Sequence, residues 1–173
     1  MSDKNEDNLS KKLDSDGILK IKFLPKTIAG ILNNLLKENK EVDYNPHDPF
    51  SSENISKIPL LYYIERIVKY MNIENTTLIL TLIYADKVCD KSGLVIEPHN
   101  VHRILLSCTV IAIKYNEDKL FDNKFYAEVG GVSLRELNKL EFKCVEYLKY
   151  DLYVSSETFN LYVNQLNNYF SKN

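Results

Sequence analysis

Hydrophobic residues recur every three or four positions along most of the chain, and this pattern predicts a series of amphipathic helices. Side chains at that spacing lie on one side of an α-helix, where they pack against a core. One stripe begins at Lys26 and ends near Lys40, and a second begins at Pro59. The apolar residues of these two stripes are Ile28, Ile31, Leu32, Leu35, Leu36, Leu60, Ile64, Ile67, Val68 and Met71. We therefore predict two helices joined by a loop that contains Pro46 and Pro49.

Two later segments are apolar on nearly every side. One runs from residue 78 to about residue 89, and the other occupies residues 101–113. From Leu105 onward the second segment contains Ser107 and Thr109 as its only polar residues. A helix that is apolar all round is buried among its neighbours. We therefore place the helix that ends at residue 113 at the centre of the domain.

Capping residues mark the ends of the remaining helices. Gly130-Gly131 is a typical helix terminus, because glycine adopts the left-handed conformation that ends many helices. Ser133 and Glu136 have the spacing of a capping box at the start of the next helix. Ser155 begins a further cap signal ahead of the last apolar stripe. These signals predict three helices in the last third of the chain.

The fold predicted from these patterns is all-α. Five consecutive helices fall between residues 58 and 154, with one flanking helix at each end. We expect residues 1–22 to form a disordered or loosely ordered tail, because they offer little apolar surface to bury. Residues 23–57 are expected to form the N-terminal helix and a connecting loop, and residues 155–173 the C-terminal helix.

Composition and charge narrow the classes of function. The 173 residues have a formal net charge of −2, whereas proteins dedicated to nucleic-acid binding usually have a basic excess. Cys89, Cys108 and Cys144 lie in apolar helical patterns, which is typical of reduced core thiols. No apolar run approaches the roughly 18 residues of a membrane span. We therefore expect an intracellular protein, in the nucleus, the cytoplasm or both, without a membrane or nucleic-acid partner.

Enzyme signatures are missing from the sequence. The five glycines form no phosphate-binding loop. His99 and His102 are three residues apart, but no cysteine or carboxylate cluster completes a metal site with them. The cysteines lie on apolar stripes, where the reactive thiolate form is disfavoured. We therefore expect no catalytic residue, metal, cofactor or small-molecule substrate.

Glu141 interrupts an apolar helical stripe whose other members are Leu134, Leu137, Leu140, Cys144, Val145 and Leu148. A buried ionised carboxylate is costly unless it is paired or hydrogen-bonded. Lys114, directly after the most apolar helix, is one partner that fits, although a lysine there also suits the helix dipole. Two interpretations stay open: a Lys–Glu pair that binds a partner's main chain, or a narrower stripe with Glu141 at its edge.

A second carboxylate, Asp86, also lies in an apolar helical segment. Arg66 belongs to the preceding amphipathic stripe and has the opposite charge. We predict that the two form an internal ion pair that ties their helices together, a structural role and not a functional one.

Several blocks of the sequence resemble, in order, the cyclin box of P- and U-type cyclins, a group that includes the phosphate-regulation cyclins of yeast. Residues 83–87 (Ile-Tyr-Ala-Asp-Lys) are similar to the family's Tyr-Ile-Asp-Arg segment, and residues 100–106 and 111–118 follow in register. The most specific block is residues 125–141, Phe-Tyr-Ala-Glu-Val-Gly-Gly-Val-Ser-Leu-Arg-Glu-Leu-Asn-Lys-Leu-Glu. The Met-Arg-x-Ile-Leu substrate-docking patch of mitotic cyclins is absent.

The resemblance implies a five-helix cyclin box that acts as a regulatory subunit, which binds and activates a cyclin-dependent protein kinase beside its C-helix. In cyclins, a lysine at the end of the third box helix and a glutamate in the fifth hydrogen-bond to the kinase backbone. Lys114 and Glu141 occupy the matching positions. The alternative is a transcription-factor-type module of the same fold that binds other proteins or DNA.

Large aromatic residues lie near the predicted pair in sequence and are candidate kinase contacts, because such residues dominate many interfaces. They are Tyr115, Phe121, Phe125 and Tyr126. Each is also compatible with a place in the core.

Overall fold

The computed structural model describes residues 23–172, and within this range the chain forms seven α-helices and no strand. The helices are α1 (Leu24–Glu38), α2 (Leu60–Met71), α3 (Asn75–Ser92), α4 (Val101–Asn116), α5 (Asn123–Gly130), α6 (Leu134–Tyr147) and α7 (Ser156–Lys172). The predicted all-α class is confirmed, with five helices flanked by one on each side. The predicted tail, residues 1–22, lies outside the described residues.

Helix α4 is the centre of the fold, as its composition predicts. Every residue from Ile104 to Ile113 is buried, including Ser107 and Thr109. These two hydroxyls donate to the carbonyl oxygens of Arg103 and Leu105, each at 2.7 Å, so their burial leaves no donor unsatisfied. Helices α3 and α6 both pack against α4 and also contact each other, while α1 and α7 pack together at the flank.

The start of α6 forms half of the predicted capping box. The Ser133 hydroxyl accepts from the Glu136 backbone N–H at 3.1 Å, as expected of an N-cap. The Glu136 carboxylate accepts from Arg103 of α4 instead of returning to the cap, with Nε at 2.7 Å and Nη2 at 2.6 Å. A charge-assisted contact with an arginine is stronger than one with a neutral amide. The same glutamate therefore joins α6 to the central helix.

The turn between α5 and α6 depends on two glycines. Gly131 has a φ of 73°, the left-handed conformation that glycine adopts without strain. Gly130 is buried against α4, and a Cβ built at this position would overlap the Leu106 side chain. The Gly130 carbonyl also accepts from the Tyr63 hydroxyl of α2 at 3.2 Å. This close approach sets the position of α5 and α6 relative to the core.

We expect Gly130→Ala to lower the free energy of unfolding by about 1–3 kcal/mol, because the added methyl group overpacks the contact with Leu106. Denaturant unfolding measures the change. Glu128→Ala, on the exposed side of the same helix, is the control and should stay within about 0.5 kcal/mol. Combining Gly130→Ala with Leu106→Ala should cost less than the sum of the single changes, and strict additivity would refute the overlap.

The loop between α1 and α2 is held to the start of α4 by buried polar groups. Asn100 donates from Nδ2 to Oδ2 of Asp48 at 2.9 Å, and its Oδ1 accepts from the Glu97 N–H at 3.0 Å. The Glu97 carboxylate accepts from the His99 N–H at 2.6 Å. Phe50, in the same loop, has no exposed surface. The predicted connecting loop is thus partly a core segment.

Burial raises the pKa of Glu97, and the nearby Asp48 carboxylate adds to the rise. The folded chain therefore keeps a proton on Glu97 at pH values where the unfolded chain has lost it, so this group's contribution to stability falls as the pH rises above about 4.3. We expect the free energy of unfolding of Glu97→Gln, which cannot ionise, to rise relative to that of the wild type between about pH 4 and pH 7. Urea unfolding across that range measures the difference, with the exposed Glu128→Gln as control. A constant difference would contradict the prediction.

Candidate functional site

The structure brings Lys114 and Glu141 together. Lys114 lies in the last turn of α4 and Glu141 in the middle of α6, and Nζ is 2.5 Å from Oε1. The side chains are 36% and 19% exposed, so the carboxylate lies at the edge of the α4–α6 contact and is neither buried nor free in solvent. The carboxylate is thus both at the edge of the stripe and paired with Lys114, and the binding of a partner's main chain by this pair stays a prediction.

Asn123, the first residue of α5, fixes the second carboxylate oxygen of Glu141. Its Nδ2 donates to Oε2 of Glu141 at 2.7 Å and to Oδ1 of Asn138 at 2.7 Å. The Glu141 carboxylate is thus held by α4 and α5 at once, each through a different oxygen. Sequence reasoning missed Asn123, because an asparagine at a helix start is ordinarily explained as a cap.

The C-terminal end of α4 is anchored to the start of α3. The Glu117 carboxylate accepts from the Glu74 backbone N–H at 3.0 Å and from the Thr77 hydroxyl at 2.5 Å. Asn116 donates from Nδ2 to the same hydroxyl at 2.9 Å. A carboxylate at a helix N-terminus is favoured by the unpaired N–H groups and the helix dipole there. This clamp restrains the end of α4 that carries Lys114 and Tyr115.

The four predicted aromatic contacts divide into surface and core. Tyr115 and Phe121 are 52% and 46% exposed, and Phe125 is partly buried, with its ring centroid 4.4 Å from that of Phe121. Tyr126 is fully buried, and its hydroxyl accepts from the Phe121 N–H at 3.0 Å. The assignment of Tyr126 as a direct kinase contact is therefore wrong for this conformation. Tyr126 supports the exposed Phe121 from within the core.

The predicted ion pair between Arg66 and Asp86 does not form. The Arg66 guanidinium stacks 5.2 Å from the centre of the Tyr63 ring, and its Nε and Nη2 atoms are buried without a hydrogen-bond partner. Asp86 accepts from the Tyr162 hydroxyl at 2.6 Å, and burial raises the pKa of its carboxyl. The ion pair does not form because the two side chains point toward different helices. Arg66 is on the side of α2 that faces the end of α5, whereas Asp86 is on the side of α3 that faces α7.

Two exposed apolar side chains on α6 were not predicted as site residues. Leu134 is 42% exposed and Phe142 is 59% exposed, although both belong to a helix whose other face is in the core. With Arg135, Asn138 and Lys139 they line a shallow groove. At about 100° per residue, Phe142 lies roughly 140–160° around α6 from the buried Leu137, Leu140 and Cys144, so helical periodicity would have indicated its exposure.

Two other kinds of site are absent from residues 23–172. No helix there is long and apolar enough to cross a membrane. No group of three or more histidine, cysteine, aspartate or glutamate side chains in that range has the geometry to hold a metal ion.

We expect a double-mutant cycle between Asp86→Ala and Tyr162→Phe to give a coupling energy of about 0.5–1.5 kcal/mol, as for a single hydrogen bond. The corresponding cycle between Arg66→Ala and Asp86→Ala should give a coupling below about 0.5 kcal/mol, because the two side chains have no contact. Denaturant unfolding of the variants measures both. A larger coupling energy in the Arg66–Asp86 cycle would show that these two side chains do form an ion pair.

Comparison with known proteins agrees with this architecture. A family model described as Cyclin matches residues 18–152. Cyclin-U3-1 of Arabidopsis thaliana is 34% identical over 68% of the chain, and Cyclin-P3-1 of Oryza sativa subsp. japonica is 35% identical over 76%. PHO85 cyclin-7 of Saccharomyces cerevisiae is 30% identical over 80% of the chain. The aligned part covers 53%, 55% and 58% of these relatives, so the chain spans little more than half their length. The chain belongs to the cyclin family and is similar to its P- and U-type members.

Proposed function

We propose that this chain is a regulatory subunit that binds and activates a cyclin-dependent protein kinase through the surface around Lys114 and Glu141. The observation that carries the proposal is the placement of this pair. The pair joins the C-terminal end of α4 to α6 and is partly exposed to solvent. The chain that carries it belongs to the cyclin family.

The chemistry of the pair suits the recognition of a main chain. A lysine ammonium has three donors, and only one points to Glu141, so the others are available to backbone carbonyl groups. The Glu141 carboxylate has lone pairs beyond those used by Lys114 and Asn123, and these can accept from backbone N–H groups. The helix termini of a kinase offer these groups unpaired, N–H groups at an N-terminus and carbonyl groups at a C-terminus. The pair therefore binds backbone without selecting side chains.

Activation then follows from a shift in the kinase's conformational population. An active kinase requires the ion pair between its strand lysine and its C-helix glutamate, which is lost when the C-helix is displaced. A rigid subunit that binds only the inward position of the C-helix favours the active state. A change from 1:99 to 99:1 requires about 5.5 kcal/mol of differential affinity.

Apolar contacts must supply most of that free energy. A partly exposed ion pair contributes only about 0–1 kcal/mol. Tyr115 and Phe121 each leave about half of their surface exposed. Covering roughly 100 Å² on each ring would contribute about 2.5 kcal/mol per residue before the cost of association. These two rings, one directly after Lys114 in the chain and the other two residues before Asn123, are therefore the proposed energetic anchors.

The test is binding and activation of a purified kinase. We would use the PHO85 kinase, for which the yeast relatives are named, within a panel of cyclin-dependent kinases. The wild type should bind at least one panel member and increase its phosphorylation of a peptide substrate. Lys114→Ala and Glu141→Ala should each weaken binding at least about tenfold, since each leaves unpaired groups at the interface.

The matched control is Glu65→Ala combined with Lys69→Ala, which removes the same two charge types from the exposed side of α2. This variant should bind and activate like the wild type. Circular dichroism confirms that every variant is folded. Full binding and activation by both site variants would refute the site, and failure of the wild type to bind any kinase in the panel would refute the function.

A further inference from the structure

The outward face of α6 combines apolar surface with two cations. Leu134 and Phe142, two turns apart, form the ends of the groove described above, and Arg135, Asn138 and Lys139 lie between them. The apolar ends are 42% and 59% exposed. We refer to these five residues as the α6 groove.

The two cations of the α6 groove are left without acidic partners. The three carboxylates of α6 are each paired with a different cation. Glu136 pairs with Arg103, Glu141 with Lys114, and Glu146 with Lys143. Within residues 23–172, no carboxylate lies within 4.0 Å of the charged nitrogens of Arg135 or Lys139. The helix therefore presents unneutralised positive charge at the groove, although the whole chain has a net charge of −2.

The α6 groove is continuous with the Lys114–Glu141 pair. Asn138 is a lining residue of the groove, and its Oδ1 accepts from Nδ2 of Asn123 at 2.7 Å. The same Nδ2 donates to Oε2 of Glu141 at 2.7 Å. A partner that covers the charged pair thus reaches the groove without crossing an intervening surface.

We propose that the α6 groove binds an acidic segment of the kinase that carries at least one apolar side chain. This inference rests on the proposed function and specifies the chemistry of the partner surface. The planar guanidinium of Arg135 matches a carboxylate in a two-point contact, and Lys139, one turn away, binds a second acidic group. The apolar side chain is covered by Leu134 and Phe142. Nucleic acid is the less suitable ligand, because the chain has no basic excess and the groove ends are apolar.

Charge complementarity of this kind acts mainly on the rate of association. Complementary charges at the edge of an interface steer the encounter, and the effect weakens as salt screens it. Apolar contacts act mainly on the rate of dissociation, because they form only after docking. The α6 groove should therefore contribute to both rates through different residues.

The experiment measures binding kinetics between the full chain and the panel kinase that it activates, at low salt and at about 0.15 M salt. Arg135→Glu combined with Lys139→Glu should slow association at low salt about tenfold and remove most of its salt dependence. The matched control, Lys57→Glu with Lys69→Glu, makes the same change in net charge on exposed positions outside α6. It should change association much less.

Phe142→Ala is the second variant, and it should increase the dissociation rate several-fold with little effect on association. If the wild type binds but the α6 charge variant matches its control, the inference is wrong and the proposed function stands. If no kinase binds the wild type, both fail. Binding of a DNA duplex by the wild type that is lost in the charge variant would also overturn the inference.

Discussion

The complete burial of residues 104–113, the middle of α4, is the constraint on which the rest of the structure depends. A helical segment without a solvent-facing side has to be enclosed by other helices, because its apolar side chains need packing contacts on every side. Helices α3 and α6 pack directly on it, and Gly130 allows α5 to approach its Leu106 closely. The proposed binding site is a consequence of this enclosure. Lys114 is the first residue after the buried run, so it marks the point at which the central helix meets the surface.

The surroundings of Lys114 and Glu141 are organised before any partner arrives. Glu117 anchors the end of α4 to the start of α3, and Asn123 holds the second oxygen of Glu141. A site whose groups are already positioned loses less conformational entropy on binding. The rigid scaffold also matters for the proposed activation, because a subunit that deformed with the kinase would not favour one position of the C-helix over another. Stability of the core and function at the surface therefore depend on the same packing.

The sequence predicted features whose signal is local. Helix periodicity located all seven helices of residues 23–172, and glycine and serine located the turn between α5 and α6. Prediction from the sequence failed where a contact depends on the direction in which a side chain points in the folded structure. Arg66 and Asp86 have opposite charges on successive helices, but α2 and α3 turn these side chains toward different neighbours. Tyr126 and Phe121 are both large aromatic residues in the sequence, yet the more polar Tyr126 is buried and Phe121 is exposed.

The amino-acid sequence by itself determined the all-α class, the central helix, the family and the identity of Lys114 and Glu141 as the residues to consider. The class and the central helix follow from periodicity, capping and composition, which are properties of neighbouring residues, whereas the family was indicated by the resemblance of blocks such as residues 125–141. Only the tertiary structure decided that Asn123 supports Glu141, that Glu136 turns to Arg103 instead of closing its cap, and that Arg135 and Lys139 face solvent without acidic partners. Those outcomes depend on how each helix is rotated against α4, and that rotation is set by the packing of the whole core.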